Sequence, residues 1–239
     1  MNMQRKIKKV IIIVVVLCVI GILVGKHMYS KSEIKFKDKN MENVMVGSCE
    51  RQSGDYTRSH ENLDKLKYLT IGFVGYYDTL EDIKWGKNIE QLQINVKTGE
   101  YDYEPVYEIA QGKIPQELTQ NKVSQFEKEL ENNLPKLKKL REIYVVSDYG
   151  CEWNSLDFLE GCDQVEEITL GKFKITDYSV LKQCKSLRKI TFFDCPISKA
   201  DDLIGLEHLE WIGISGTPLA QDEEEMKKLK EAYPNAEYR

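Results

Sequence analysis

One apolar pattern recurs every 22 residues in the C-terminal half of this chain. Successive apolar positions inside a unit are separated by three, three, three and two residues. The members of three consecutive units are Leu159, Cys162, Val165, Ile168 and Leu170, then Leu181, Cys184, Leu187, Ile190 and Phe192, and then Leu203, Leu206, Leu209, Ile212 and Ile214. The final spacing of two is that of a strand, and the spacing of three is that of a helical return segment. Because one such unit cannot bury its apolar edge alone, the pattern predicts stacked coils that share one core.

The same series of apolar positions, called the ladder below, extends toward the N-terminus with irregular spacing. Its earlier members are Leu66, Leu69 and Ile71, then Ile89, Leu92 and Ile94, and then Leu134, Leu137, Leu140, Ile143 and Val145. Residues 97–133 interrupt the ladder as an insertion, which begins tyrosine-rich and ends in a predicted helix from Gln116 to Asn133. After the last unit, residues 221–239 form a predicted cap, a helix with acids at its start followed by a short final strand. The cap would place Tyr233, Ala236 and Tyr238 at 24 residues after Leu209, Ile212 and Ile214.

Two segments, VEEITLGKFKITDYSVLKQC and LRKITFFDCPISKADDLIGL, resemble the 22-residue leucine-rich repeats of bacterial internalin-like surface proteins. The ending LKEAYPNAEY resembles the closing segment of many leucine-rich repeat domains. The resemblance covers residues 134–239 well and 63–96 moderately. It implies an α/β solenoid with short parallel strands on a concave face, helical or irregular return segments, and binding of a protein or another macromolecule by the concave face. Phe173, Cys195 and Thr217 depart from the family, which often has a ladder asparagine at this position.

The N-terminus carries the signal of a membrane segment. The 16 residues 10–25 contain no charged side chain, and four basic residues lie among the nine that precede them. As a helix they span roughly 24 Å, so they form either a cleaved signal peptide or a short membrane helix with flanking lysines at the headgroups. A cleaved signal peptide needs small residues at the first and third positions before the cleaved bond. Cleavage after Gly25 would put Leu23 at the third position, and cleavage after Ser30 would put Met28 there. These large side chains favour an uncleaved anchor.

We therefore expect a cytoplasmic tail at 1–9, a transmembrane signal anchor at 10–25, and a juxtamembrane stalk or N-terminal cap at 26–60. The extracytoplasmic leucine-rich repeat domain would occupy residues 61–239. The first part of the stalk has too little apolar surface to offset the entropy of ordering it. This organisation describes a single-pass protein of the cell membrane, and the composition suggests a bacterial surface protein.

Alternate strand residues face away from the core and would line the concave face. These positions are Tyr68, Thr70, Gly72, Gln91, Gln93, Asn95, Glu142, Tyr144, Val146, Glu167, Thr169, Gly171, Lys189, Thr191, Phe193, Trp211, Gly213 and Ser215. The predicted partner-binding site consists of Tyr144, Thr169, Lys189, Thr191, Phe193 and Trp211. Aromatic side chains that the register places in solvent are typical interface anchors, but these could instead pack on one another or under the insertion.

No motif in the sequence indicates catalysis, and we expect neither a cofactor nor a metal site. The three histidines are far apart in any solenoid, and no two cysteines have the CxxC spacing of a zinc site. Cys162 and Cys184 could form a disulfide between coils, but two buried thiols in leucine positions are favoured. Cys49 and Cys151, expected in loops, could pair in an oxidising compartment.

Charge excludes one further class of function. All 39 acidic residues and 29 of the 34 basic residues follow residue 28, so this part carries a net charge of −10, which argues against nucleic-acid binding. The sequence therefore predicts a membrane-anchored, non-enzymatic protein that binds a macromolecule, most simply a protein, through its concave face. Two alternatives stay open: the chain could be a structural or regulatory protein of the envelope that docks a neighbouring membrane protein through the 97–133 insertion, or it could be an enzyme whose site has no recognised motif.

Overall fold

The computed structural model describes residues 3–95, 118–147 and 151–239, with side chains from residue 11 onward. Within these residues, seven short strands form one sheet in which every neighbouring pair is parallel. The strands are β1 (Tyr68–Ile71), β2 (Gln91–Ile94), β3 (Glu142–Val146), β4 (Glu167–Gly171), β5 (Lys189–Phe193), β6 (Trp211–Gly213) and β7 (Glu237–Tyr238). Strand order follows chain order, so the chain winds as a solenoid with one strand in each coil. The predicted leucine-rich repeat fold is confirmed.

Two rows of apolar side chains from the strands form one wall of the core. Strand pairing aligns Leu69, Leu92, Ile143, Ile168, Ile190 and Ile212 in one row, and Ile71, Ile94, Val145, Leu170 and Phe192 in the other. Each of these side chains is at most 2% exposed. Because neighbouring strands lie about 4.8 Å apart, each side chain packs on its equivalent in the next coil, which buries the edge that a single repeat would expose.

The return segments are mostly 3-10 helices. They span Val74–Tyr76, Glu81–Trp85, Leu134–Lys136, Asp157–Leu159, Ser179–Gln183 and Ala200–Asp202. In one coil, the Cys184 N–H donates to the Leu181 carbonyl and the Leu187 N–H donates to the Cys184 carbonyl, both at 3.0 Å. A 3-10 turn contains three residues, so side chains three apart point in the same direction. The repeated spacing of three therefore buries each of these side chains, and the helical return segments predicted from it are tight 3-10 turns.

Three helices precede the sheet: α1 (Met3–Lys31), α2 (Lys39–Ser53) and α3 (His60–Leu63). The side chain of Asp38 caps α2 by accepting a hydrogen bond from the Met41 N–H at 2.8 Å. Helix α2 packs against β1. Its buried apolar side chains are Met41, Val44, Met45 and Cys49. The segment interpreted as a stalk or short cap thus contains a full helix, which covers the first coil of the core.

Helix α4 (Gln120–Asn133) is the described part of the predicted insertion. It begins after Thr119, whose side chain accepts from the Lys122 N–H. Val123, Phe126 and Leu130 are at most 1% exposed, so the helix packs its apolar side on the core directly before the return segment Leu134–Lys136. The first residues of the predicted helix and the tyrosine-rich part of the insertion lie outside the described residues.

Two further helices, α5 (Pro218–Gln221) and α6 (Glu223–Ala232), form the last return segment. The Asp222 side chain caps α6 by accepting hydrogen bonds from the N–H groups of Glu224 and Glu225, both at 3.0 Å. Acidic residues fill the first turn of this helix, where they favour the positive end of its dipole, as the sequence predicts.

The final strand β7 exists as predicted, but its predicted alignment is wrong. Tyr238 pairs with Ile212 and not with Ile214, because the two helices of this return segment use two more residues than the spacing assumed. Tyr233 lies outside the strand, and its hydroxyl donates to the Leu203 carbonyl at 2.6 Å. This side chain ties the C-terminal helix to the preceding return segment.

Candidate functional site

The six residues predicted to bind a partner lie on one face of strands β3 to β6. Strand pairing places Tyr144, Thr169 and Thr191 side by side in one row across three coils. Lys189 and Trp211 are neighbours in a second row, and Phe193 stands at the end of β5. All six side chains are half-buried or exposed, because they point away from the core. The structure therefore brings the predicted residues together on one surface, while their role in binding stays a prediction.

Several positions expected on the concave surface are buried. Asn95, with a positive φ of 56°, is fully buried at the end of β2. Its side-chain amide donates to the Val146 carbonyl at 2.9 Å, and its amide oxygen accepts from the Val74 N–H at 3.4 Å. Val146 is 5% exposed. The prediction that Asn95 and Val146 line the surface is wrong, since the strand pattern ends at this point and the chain turns toward the next return segment.

Tyr144 and Phe193 form a continuous aromatic shelf, although strand β4 lies between their strands in the sheet. Their ring centroids lie 6.0 Å apart with an interplanar angle of 80°, an edge-to-face contact. Gly171 on the intervening strand makes this contact possible, because a Cβ atom there would lie 1.9 Å from Phe193 Cζ. The Phe193 ring thus occupies the space left by the missing side chain of Gly171 and contacts Tyr144 on the strand beyond it. The packing alternative is confirmed for this pair, and both side chains stay half-buried.

Trp211 lies apart from this shelf and contacts Arg239, which is not among the predicted site residues. The guanidinium carbon of Arg239 lies 4.9 Å from the centroid of the indole ring, which is the geometry of a cation–π contact. Arg239 follows β7, whose neighbour in the sheet is β6. The two-residue error in the alignment of β7 hid this contact, since it placed the end of the chain beyond the tryptophan.

Charged and amide side chains surround a shallow pocket beside the aromatic shelf. The Lys189 ammonium lies 3.0 Å from a Glu167 carboxylate oxygen. This hydrogen bond and the accompanying charge attraction raise the pKa of Lys189 above its usual value. The pocket has a volume of about 210 Å³ and is lined by Gln91, Leu92, Gln93, Glu142, Ile143, Tyr144, Glu167 and Thr169. Hydrogen-bond donors and acceptors of both charges next to aromatic rings are suited to polar recognition of a partner, and they include Gln91, Gln93 and Glu142 beyond the predicted set.

Nucleophilic and metal-binding groups do not converge on this surface. The described residues contain no group of three or more His, Cys, Asp or Glu side chains placed to hold a metal ion. Cys49, Cys151, Cys162, Cys184 and Cys195 are buried and free, and Cys49 lies inside α2 and not in the expected loop. Burial raises the pKa of Cys162 and Cys184 to about 12, so both thiols are protonated at neutral pH.

No protein-family model matches this sequence, and neither does any curated protein. The structure is similar to an internalin (inlF) from Listeria monocytogenes with 13% sequence identity and a TM-score of 0.32, over 85% of this chain and 75% of that one. Internalin C2 of the same species is 17% identical with a TM-score of 0.34, over 79% of this chain and 95% of that one. The assignment of the fold rests on the strand order and the 3-10 return segments of this chain itself.

Proposed function

We propose that this leucine-rich repeat protein is anchored in a membrane by α1, carries its solenoid on the extracytoplasmic side, and binds a partner protein through the concave face. The observation that carries the proposal is the set of three half-buried aromatic rings, Tyr144, Phe193 and Trp211, on a sheet face that is otherwise polar. Tyrosine, tryptophan and arginine are enriched among the residues that dominate binding energy at protein interfaces. A surface of this kind binds a partner through complementary shape and through aromatic side chains that lose contact with water in the complex.

The anchor is proposed from the length and exposure of α1. The segment Ile11–Lys31 contains 21 residues, and its most apolar window of 18 residues has a mean hydropathy of 2.6 with none of that window buried. The uncharged run 10–25 extends about 24 Å as a helix, and the lysines on both sides of it can reach the headgroups across a hydrocarbon core of about 30 Å. A signal sequence meets the same criteria, so the length supports an anchor only together with the unfavourable cleavage positions. In this proposal residues 1–9 stay in the cytoplasm and the domain from residue 61 onward lies outside.

The polar side chains of the concave face would orient the partner relative to the aromatic rings. Lys189 and Glu167 form an ion pair on the exposed face, and such pairs contribute little stability on their own. They set the charge pattern around the aromatic rings and so favour a partner with the complementary pattern. The Trp211–Arg239 contact adds a flat cationic surface on which a carboxylate or an aromatic side chain of the partner can pack.

Affinity capture with the full chain in lipid nanodiscs tests this proposal. The bait is compared with a variant carrying Tyr144→Ala, Phe193→Ala and Trp211→Ala, against solubilised envelope proteins and proteins of the medium. Tyr56→Ala serves as the matched control, because Tyr56 is 71% exposed and lies outside the sheet. A protein captured by the parent and the control but lost by the triple variant supports the concave face. Equal capture by all three baits contradicts it and points to the insertion as the contact element.

Folding of the baits must be checked, because Phe193 also covers Gly171. Circular dichroism and thermal melting of each bait give this check. A second variant, Trp211→Ala with Lys189→Glu, leaves the shelf intact and changes only exposed or half-buried side chains. If this folded variant retains full capture while the triple variant loses it, then the shelf alone carries binding.

A further inference from the structure

No spacer separates the proposed anchor helix from the folded domain. Helix α1 ends at Lys31, and Glu33 already forms a β-bridge with Ser59. The next N–H, that of Ile34, donates to the Arg58 carbonyl at 2.7 Å, and the Ile34 side chain is 4% exposed. The chain therefore enters the domain core within three residues of the end of the helix.

The end of α1 also packs on the domain through side chains. The Tyr29 ring stacks on His60 with centroids 4.3 Å apart, and the edge of His60 meets Trp85 at 5.4 Å. Lys87 Nζ lies 5.4 Å from the centroid of the Tyr29 ring. Two residues later, Lys31 pairs with Glu61 at 2.7 Å. Contacts of three kinds thus hold the helix end against the turns that precede β1 and β2.

These contacts fix the height of the domain above the bilayer. Tyr29 lies four residues beyond Gly25, the last residue of the uncharged run, which is about 6 Å along a helix. The polar layer on each side of a bilayer is about 5–8 Å thick. Tyr29 would therefore lie among the headgroups, and the domain residues that touch it, His60 and Lys87, must lie at the same depth. Tyrosine, tryptophan and lysine are the residue types that favour this layer.

Basic side chains continue along the same edge of the sheet. Lys87 lies four residues before β2, and Lys138 lies four residues before β3, so the strand pairing puts their turns side by side. Lys139 follows in the second turn, and Lys138 and Lys139 form no ion pair with a described residue. We call Trp85, Lys87, Lys138 and Lys139 the basic edge. Asp64 and Asp163 occupy the equivalent positions on either side of it, and Lys185 occupies the equivalent position one coil further on.

We propose that the basic edge rests on the headgroups of an anionic bilayer, so that the solenoid stands on the membrane by the edge where its strands begin. This inference depends on the proposed membrane anchor but not on the proposed partner. The strands then run away from the bilayer, and the concave face opens sideways, along the membrane. The ligand class is the anionic lipid surface itself, contacted by lysine ammonium groups and by the rings of Tyr29 and Trp85.

Fluorescence quenching in vesicles tests the inference with the full chain. The protein is reconstituted into phosphatidylcholine vesicles with or without phosphatidylglycerol, and a nitroxide on the lipid headgroup serves as quencher. We expect quenching of the parent protein that is mostly lost in Trp85→Phe and retained in Trp153→Phe. Trp153 is the matched control because it follows β3, at the opposite edge of the sheet. Quenching that is equally weak in all three proteins overturns the inference.

Flotation separates this failure from failure of the anchor. If the parent protein does not float with the vesicles in alkaline carbonate, both the anchor and this inference are wrong. Flotation without Trp85-dependent quenching leaves the anchor and removes only the edge contact.

Charge reversal tests the role of the lysines. Lys138→Glu with Lys139→Glu should reduce Trp85 quenching in anionic vesicles only, with about a fivefold loss of surface affinity for each lysine. Lys199→Glu with Lys227→Glu is the control pair, since both lysines lie in the C-terminal coils and are exposed. Equal quenching in both pairs would contradict an electrostatic contact with the bilayer.

Discussion

The regular coils of the solenoid and its N-terminal end fill their interiors in different ways. Over residues 151–216, all of which the structure describes, no polar or charged side chain is buried. Strand pairing and 3-10 turns satisfy the backbone there with the same hydrogen bonds in each coil, such as the bonds that Arg188 and Lys189 donate to the Glu166 carbonyl at 2.8 and 3.0 Å. Apolar side chains at fixed spacing are then sufficient to fill the interior.

The N-terminal end instead relies on buried carboxyl groups. Asp82, which is fully buried, accepts hydrogen bonds from the N–H groups of Lys37 and Asp38 at 2.6 and 2.8 Å and from the Trp85 indole at 3.2 Å. Glu129 of α4 accepts from the Leu80 N–H at 2.6 Å. Irregular loops leave N–H groups without backbone partners, and these acceptors take their place. Regular coils are thus specified by a period, whereas the end is specified by individual polar residues.

The largest effect is expected for Asp82→Ala, which tests whether the N-terminal end depends on a buried carboxyl group. The change removes the acceptor of three hydrogen bonds, of which that from Asp38 is buried and those from Lys37 and Trp85 are partly buried. We expect it to lower the free energy of unfolding by about 3–5 kcal/mol. Urea denaturation followed by circular dichroism measures the loss. Asp201→Ala removes an exposed acid from a regular coil and should change stability by no more than about 0.5 kcal/mol. Similar losses in both variants would show that the buried carboxyl group has no special role.

A large-to-small change in a regular coil tests whether apolar packing stabilises this part of the solenoid. Leu181→Ala removes a fully buried side chain between two coils, and we expect a loss of about 3 kcal/mol because the stacked repeats cannot collapse around the cavity. Val180→Ala, at a neighbouring position that is 8% exposed, should cost less. Urea denaturation of the two variants is the measurement, and an equal loss would argue against a shared core as the source of stability.

The aromatic shelf allows a test of coupling between neighbouring coils. Gly171→Ala places a Cβ where the Phe193 ring lies, so the ring must move, and we expect a loss of about 2 kcal/mol. With Phe193→Ala already present, the added cost of Gly171→Ala should fall close to zero. Thermal melting of the four proteins of this cycle gives the coupling. Additive losses would mean that the ring does not cover the glycine in solution.

The smallest expected effect is a pH dependence of the N-terminal end. Burial, followed by the charge of Lys87, lowers the pKa of His60 below its usual 6.5, and Asp64 opposes this. The unfolded state therefore binds a proton more readily, so stability is fully present above about pH 6.5 and declines as the pH falls below it. His60→Phe should remove this decline between pH 7 and pH 5 in urea titrations. An unchanged decline would assign it to other groups.

Much of the fold could be predicted from the sequence because the repeat is regular. The ladder from Leu159 to Ile214 located strands β4 to β6 and the core between them. Helix α2 was missed, although Met41, Val44 and Met45 have helical spacing, since the charged and polar residues between them mask the pattern. Short amphipathic stripes of this kind become visible only when the neighbouring sheet that they cover is known.

The candidate site was only partly predictable, for reasons of geometry. Strand alternation placed Tyr144 and Trp211 on the correct face, because it depends on a fixed period of two. The contact of Tyr144 with Phe193 depends on the missing side chain of Gly171, which lies on a third strand. The contact of Trp211 with Arg239 depends on the number of residues in a helical return segment, which no period specifies. Whether these side chains bind a partner remains a prediction.

The direct entry of the chain from α1 into the domain has a consequence for how a partner is met. A protein on a long tether samples a volume, but a domain joined within three residues of its membrane helix moves only by lateral diffusion and by rotation about the membrane normal. If α1 is the anchor, the concave face stays at a constant distance from the membrane surface and meets only molecules within a thin layer at that distance. Molecules that share this layer are encountered as in a two-dimensional fluid, while a partner from the bulk must first descend to it.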